Sequence, residues 1–495
     1  MIAEPGFDAF RSTYEAGRPQ VVWTRVVDDL ETPVSAFLKV GAGRPYAFLF
    51  ESVEGGAWRG RYSILTLEPD LVWRCRGDQA EVSRADALDR FEPAGDALES
   101  LRALVAASRI ELPSALPPMA AGLFGALGYD MVRLVERLPE APPDPLDLPD
   151  AVLARPSLVA VFDSVFQEII LVSPVRPSDT SAEDAYAAAE TRLAGLEERL
   201  RARAVARSEA DRPMAPAPAF DSAVSREQYR AVVERSKRYI EAGDVFQVVP
   251  SHRFEAPFAL PPFALYRSLR RLNPSPYLFY LDLGGFQLAG SSPEILVRLR
   301  DGKVTIRPIA GTRRRGATPE EDLALERELL ADPKERAEHL MLVDLGRNDV
   351  GRAALPGSVR VTESFSVERY SHVMHIVSNV EGDAPASADP VDVLLSALPA
   401  GTLSGAPKIR AMEIINELEL HKRGLVYAGC AGYISSEGQV DTCILLRTAL
   451  VKDGRVHTQA GGGVVADSDP DAEYEETLHK SQAVRRAAEE AWRFA

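Results

Sequence analysis

Two stretches of the sequence place glutamates at helical spacing behind the same Asp-Pro opening, and carboxylates so arranged are a means of holding a hard, oxygen-loving cation. In DPKERAEHLMLVDLGRND, Asp332 suits a helix cap, Pro333 suits the first helical position, and Glu335 and Glu338 share a face. In DPDAEYEETLHKSQA, Asp469 and Pro470 repeat that start, and Glu473, Glu476 and Lys480 fall at i, i+3 and i+7 on one stripe. Glu335 also has a structural reading, because a capping residue followed three places later by glutamate is a capping-box arrangement. Two such faces opposed across a cleft would clamp Mg²⁺ and leave positions for water and an anionic substrate. The alternative is that these glutamates only solvate helix surfaces.

Other residues fit an anionic ligand. QAGGGVVADSDP sets Gly461, Gly462 and Gly463 ahead of the second helix, where bare backbone amides can approach an anion, although such a turn is also simply a turn. Arg447 stands in the apolar, strand-like run TCILLRTALV and needs an anionic partner there, either a substrate or a structural carboxylate. His375 and His372 are three residues apart, but no cysteine or third histidine clusters with them, which argues against zinc. One of them could serve as a general acid or base, or simply as a hydrogen-bonded structural residue.

The elements that must position these groups follow from patterning. Short apolar runs between polar turns at 46–74 and 151–174 read as antiparallel strands. An Ala-, Glu- and Arg-rich stretch to about residue 207 reads as a surface helix, and RPMAPAPAF supplies three prolines without hydrophobic period. These divide the chain into an N-terminal domain at 1–211, a linker at 212–220 and a second domain at 221–495. From Ser225 onward a helix at about 225–242 precedes strands near 245–254, 277–283, 286–299 and 303–308, an α+β pattern rather than βαβ alternation.

Composition excludes whole classes. The 495 residues are 46% hydrophobic, enough for sizeable cores, and the formal charge of −16 carries no long basic run, so nucleic acid is not an expected partner. Charges or prolines interrupt every apolar stretch well before the roughly 20 residues that cross a bilayer, and MIAEPGFDAF lacks the features of an export signal. Cys75, Cys430 and Cys443 have no metal or redox spacing, and the expected location is cytoplasmic.

Taken in order, GDVFQVVPSHRF, NPSPYLFYL, AGSSPEILV, PIAGTRRRG, AEHLMLVDLGRND, YSHVMHIVS, GTLSGAPKIRAMEII, GYISSEGQVDTCILLRTA and QAGGGVVADSDPDAEYEETLHKSQA resemble the chorismate-utilizing enzymes, and within them the anthranilate synthase component I family. The resemblance is dense over about 225–490; toward the N-terminus only FLFESVEG and RYSIL match well. It implies an α+β fold of two large facing antiparallel sheets flanked by helices. It implies Glu338 and Glu476 as direct Mg²⁺ ligands, with Glu335 and Glu473 acting through water. It implies that Tyr433, Arg447, Lys480 and the Gly461–Gly463 turn hold the enolpyruvyl side chain of chorismate. Gly311, Thr312 and His375 would line the ring, and Glu294 would stand as an acid beside the departing hydroxyl.

Two positions separate the family's branches. Relatives that add water to chorismate resemble this chain but carry lysine where Gln247 stands, and ammonia needs no such base. Aminodeoxychorismate synthase carries a lysine able to form a covalent adduct where Ala310 stands. Both point to direct amination followed by pyruvate loss, with aminodeoxychorismate or aminodeoxyisochorismate synthase as the enzymatic alternative and a non-catalytic chorismate or tryptophan sensor as the other. No G-x-C-x-G-x-Q segment occurs, so a separate glutamine amidotransferase subunit is the expected partner, in a hetero-oligomer. Glu51, Ser52, Pro276, Tyr277, Leu278, Gly290 and Ser291 resemble the family's tryptophan inhibitor pocket.

Overall fold

The computed structural model describes residues 2–52, 60–85, 87–202, 216–369 and 373–495. Two long strands, Tyr62–Arg76 and Ala151–Asp163, organise it. They pair with each other along their length, with a register shift between Pro69 and Leu71, and Glu68 beside it has a left-handed φ of 52°. At that kink the pair passes from one sheet into another.

On one side, Tyr62–Arg76 hands the ladder to Phe48–Glu51, then Tyr277–Asp282, Gln287–Ser292, Thr448–Lys452, Arg455–Gly461 and Ser251–Pro257. On the other, Ala151–Asp163 hands it to Gly122–Leu127, then Cys430–Ser435, Val440–Ile444, Ile295–Arg300, Lys303–Ile306 and Val373–Asp383. All of these pairings are antiparallel, and both sheets contain strands from before and from after the proline-rich stretch, joined edge to edge at Phe48–Glu51 with Tyr277–Asp282 and at Gly122–Leu127 with Cys430–Ser435.

Side-chain alternation makes the two sheets face each other. Phe48, Ile64, Phe279, Phe124, Ala431 and Tyr433 point into one shared core between them. Their neighbours Leu49, Leu65, Leu278 and Tyr280 point outward, under helices Phe7–Glu15, Pro33–Val40, Ala182–Arg201, Pro262–Leu272 and Pro470–Glu490. Leu123, Cys430 and Ile434 point outward on the other sheet, under helices Ala97–Ala107, Pro333–Ala353, Pro390–Ala397 and Lys408–Leu418. Burying each such large apolar side chain contributes about 1.5–3 kcal/mol, so the pattern alone pins strand register. The facing antiparallel sheets flanked by helices are thus the architecture expected. The Ala-rich helix ends at Arg201, and the proline-rich stretch lies partly outside the described residues.

Candidate active site

The helix Pro333–Ala353 starts as its sequence predicts: Asp332 Oδ1 accepts the Lys334 and Glu335 amides at 2.9 and 3.3 Å. The capping-box reading of Glu335 fails. The Asp332 amide donates to Glu328 O at 3.0 Å, and the Glu335 carboxylate turns away to Arg313 Nη1 at 3.0 Å. The helix Pro470–Glu490 repeats the cap, with Asp469 Oδ1 accepting the Asp471 and Ala472 amides. Glu476 pairs with Lys480 Nζ at 2.6 Å, while Glu473 accepts from Ser468 Oγ at 2.7 Å and keeps its other oxygen buried without a partner.

These carboxylates crowd one another. Burial and then the charges of Glu335 and Glu476 raise Glu338 above the usual carboxylate range, against the opposing pull of Lys480. Burial, partly relieved by Ser468, and the charge of Glu476 raise Glu473 likewise. Among the described residues no three His, Cys, Asp or Glu side chains form a ready cage. Mg²⁺ seldom needs one, since it keeps several waters and binds through one or two carboxylates. Mutually repelling carboxylates on two helices, one with an orphaned buried oxygen, fit that ion.

Glu294 lies in the break between Gln287–Ser292 and Ile295–Arg300, buried, with Oε1 accepting from Thr402 Oγ1 at 3.1 Å. Burial lifts its pKa to about 8 even though the Thr402 hydroxyl and the charges of Arg447 and Lys480 act to lower it. At neutral pH this side chain is a carboxylic acid. His375 sits opposite Thr312 in the ladder between Val373–Asp383 and Ile309–Arg314. Gly311, at φ 67°, makes a bulge there that leaves its carbonyl oxygen 2.9 Å from His375 Nδ1, with Thr312 Oγ1 at 3.1 Å. Desolvation lowers the His375 pKa, outweighing that backbone contact, so the ring is neutral, with its proton placed on Nδ1 by the carbonyl.

Arg447 reads differently from its sequence. The apolar run breaks after Ile444, and Arg447 occupies a half-buried bend with φ 48° before Thr448–Lys452 begins. It is therefore not a core-strand arginine; its charge reaches both Glu294 and His375. Lys480 faces the open cleft and donates to Gly461 O at 3.1 Å. In the Gly461–Gly463 turn a Cβ on Gly461 would meet the Pro250 carbonyl oxygen at 2.6 Å, while one on Gly462 or Gly463 would stand 2.4 Å from Glu473 Oε2 or Gln247 Nε2 and push those side-chain ends aside. The Gly462 amide makes long contacts to Pro250 O and Tyr229 Oη, at 3.3 and 3.4 Å. Gln247 is buried, with its carbonyl oxygen unpartnered.

Tyr433 is the one expected substrate contact that the structure places elsewhere. Alternation along Cys430–Ser435 turns it into the core between the sheets, 5.7 Å from the Phe124 ring, with its hydroxyl accepting from Arg300 Nη2 at 3.3 Å. The tyrosine beside the cleft is Tyr427, in the loop before that strand, where the charge of Lys480 acts on it. In the sequence Tyr427 is one more aromatic in an apolar run, so only the loop's path could single it out.

Tyr433 instead lines a cavity with Glu51, Ser52, Pro276, Tyr277 and Leu278. Glu51 is held there by Tyr266 and by Arg270 Nε at 2.8 Å. Gly290 and Ser291 are the ladder partners of Phe279 and Leu278 at its edge. A Cβ on Gly290 would lie 2.0 Å from the Phe279 ring, and Ser291 Oγ bonds to Asn273 O, so both shape the wall rather than line it. His372 lies outside the described residues.

Residues 49–486 match the chorismate binding enzyme family, and the chain belongs to it. It is an enzyme whose relatives match over nearly their whole length. It is 57% identical to anthranilate synthase component 1 of Cereibacter sphaeroides, covering 99% of this chain and 98% of that one. It is 50% identical to the protein of the same name from Pseudomonas aeruginosa, over 93% of each. The crystal structure of anthranilate synthase component I from Streptococcus pneumoniae superposes with a TM-score of 0.75 at 36% identity, covering 93% of this chain and 99% of that one.

Proposed function

We propose that the enzyme converts chorismate and ammonia to anthranilate and pyruvate in tryptophan biosynthesis, with Mg²⁺ held by Glu338 and Glu476 and, through water, by Glu335 and Glu473. The observation that carries this reading is Glu294, an acid still protonated at neutral pH in a cleft that also holds Arg447 and Lys480. When bound, the ion would neutralise the ring carboxylate of the substrate. Arg447, Lys480, Tyr427 and the glycine turn would hold the side-chain carboxylate. As ammonia adds at C2, Glu294 gives its proton to the hydroxyl leaving C4. The unprotonated Nε2 of His375 then assists loss of the C2 proton as pyruvate departs and the ring becomes aromatic. Gln247 and Ala310 offer neither a base for water nor an amine for a covalent adduct, which favours ammonia as the nucleophile.

The ammonia would come from a separate glutamine amidotransferase subunit, and tryptophan would inhibit by occupying the cavity between the sheets. That cavity has a short path to the acid. Tyr277 pairs with Ser292, and Ser292 Oγ donates to Glu294 O at 3.2 Å. A ligand that shifts Tyr277 therefore displaces Glu294. Incubation of the purified chain with chorismate, Mg²⁺ and an ammonium salt near pH 8.5, roughly where some NH₃ is free, should give anthranilate fluorescence. Glutamine should replace ammonia only after the glutaminase is added. Aminodeoxychorismate as the end product, or glutamine use by the chain alone, refutes the reading.

A further inference from the structure

A second cavity, of about 540 Å³, lies away from the cleft, lined by Pro145, Leu146, Ala223, Arg253, Glu255, His421, Lys452, Asp453, Arg455 and His457. Its size is that of a small-molecule site, roughly 300–1,000 Å³. Arg253 is its anchor. That side chain is only 5% exposed, yet no carboxylate lies within ion-pair distance of it among the described residues. Its Nη2 donates to Lys422 O at 2.7 Å, while its Nε–H is buried with no acceptor. Arg253 lines the cavity with no carboxylate partner of its own, so an anionic acceptor entering there would meet a guanidinium still able to donate.

The walls specify the acceptor's charge. Arg253, Lys452 and Arg455 face Glu255 and Asp453, leaving a single positive charge in excess. Arg455 is already paired with Glu255 at 2.9 Å. His457 is kept neutral by burial, its pKa near 4, and desolvation also lowers His421. Lys452 Nζ uses one of its N–H groups on Leu146 O at 2.7 Å and lies 3.7 Å from Asp453 Oδ2, which leaves a third to give. Pro145, Leu146 and Ala223 add an apolar wall. We infer that this cavity binds an organic monocarboxylate, its oxygens accepting from the Arg253 guanidinium and Lys452 Nζ and its carbon body against Pro145, Leu146 and Ala223. A doubly charged oxyanion without an apolar body would leave one charge unmatched. The site is separate from catalysis but mechanically near it: Arg253 pairs with Gln459, two residues along the ladder from the Ser251–Gly461 pair.

Benzoate serves as the probe, titrated calorimetrically into the full chain at fixed ionic strength. An Arg447→Gln background removes the cleft's own arginine. Benzoate should still bind there, with a Kd of millimolar order. Lys452→Gln should weaken it about tenfold and Arg253→Gln should abolish it, since each removes a charge-assisted donor. If Arg253→Gln unfolds early in a thermal scan, Lys452→Gln carries the test, because its ammonium sits at the rim. Inorganic phosphate should bind at least about tenfold more weakly than benzoate. Loss of benzoate binding in the Arg447→Gln background, or binding untouched by Lys452→Gln, overturns the inference. So does phosphate that matches benzoate.

Discussion

The catalytic cleft and the cavity between the sheets use the same residue types, arginines, carboxylates and tyrosines, but settle their charges in opposite ways. In the cavity, Tyr277 donates to Asp441 Oδ1 at 3.0 Å, Arg298 and Arg300 both reach Asp441 Oδ2, and Arg300 also donates to Tyr433. In the cleft, Glu473 keeps an orphaned oxygen, Gln247 an unpartnered carbonyl, and Glu294 a proton it would shed in water. Rigid strands supply the first set and helix starts, a glycine turn and strand ends supply the second. A satisfied network fixes shape and suits recognition, whereas an unsatisfied one is completed only by substrate and metal, and so binds the reacting state better.

That contrast can be broken at several points. The largest effect is expected for Glu294→Gln, which cannot protonate a leaving oxygen and should lower kcat by about 10²–10⁴. In the parent, rates per free NH₃ should fall as pH rises through about 8, where Glu294 ionises. The same shift bears on stability: with a folded pKa raised from 4.5, Glu294's contribution is complete below 4.5 and is lost as pH rises through about 8. Glu294→Gln should flatten both profiles. A pH–rate curve identical to that of the parent would remove Glu294 from the chemistry.

Next, Glu338→Gln and Glu476→Gln should each reduce turnover by roughly 100-fold at limiting Mg²⁺ with unchanged circular dichroism, because an amide lacks the carboxylate's charge. Near-parental activity in both returns these glutamates to solvation. A smaller but sharper split separates the two tyrosines. Tyr427→Phe should raise the KM for chorismate about tenfold through one lost charge-assisted bond, with tryptophan inhibition kept. Tyr433→Phe, like Ser52→Phe, should spare the KM and relieve inhibition by tryptophan. The reverse assignment would show that the cleft and cavity have been exchanged. Smallest is Thr402→Val: its hydroxyl stabilises the ionised form of Glu294, so the alkaline limb should move up by about one pH unit with little change in the maximum rate.

How much was legible in the sequence differs by kind of residue. The caps Asp332 and Asp469, the glutamate stripes, the strands and their two faces follow from local rules of spacing, and the structure has them in place. Arg447 and Tyr433 show where such rules stop. TCILLRTALV reads as one strand because its residues are apolar and β-prone, but the chain turns at Arg447 into a left-handed conformation that no propensity demands. Tyr433 and Tyr427 sit in the same apolar stretch, and which one meets the cleft depends on where a strand begins and which face it turns inward. By itself the sequence determined the elements, their buried faces and the carboxylates on offer, since these depend on neighbours within a few residues. Only the tertiary structure decided that Glu294 stays protonated, that His375 is held by a bulge at Gly311 and that Arg253 is buried without a carboxylate partner among the described residues. Each of those depends on desolvation and on partners far away in the chain, and solvent exclusion at a point is a property of the packed whole.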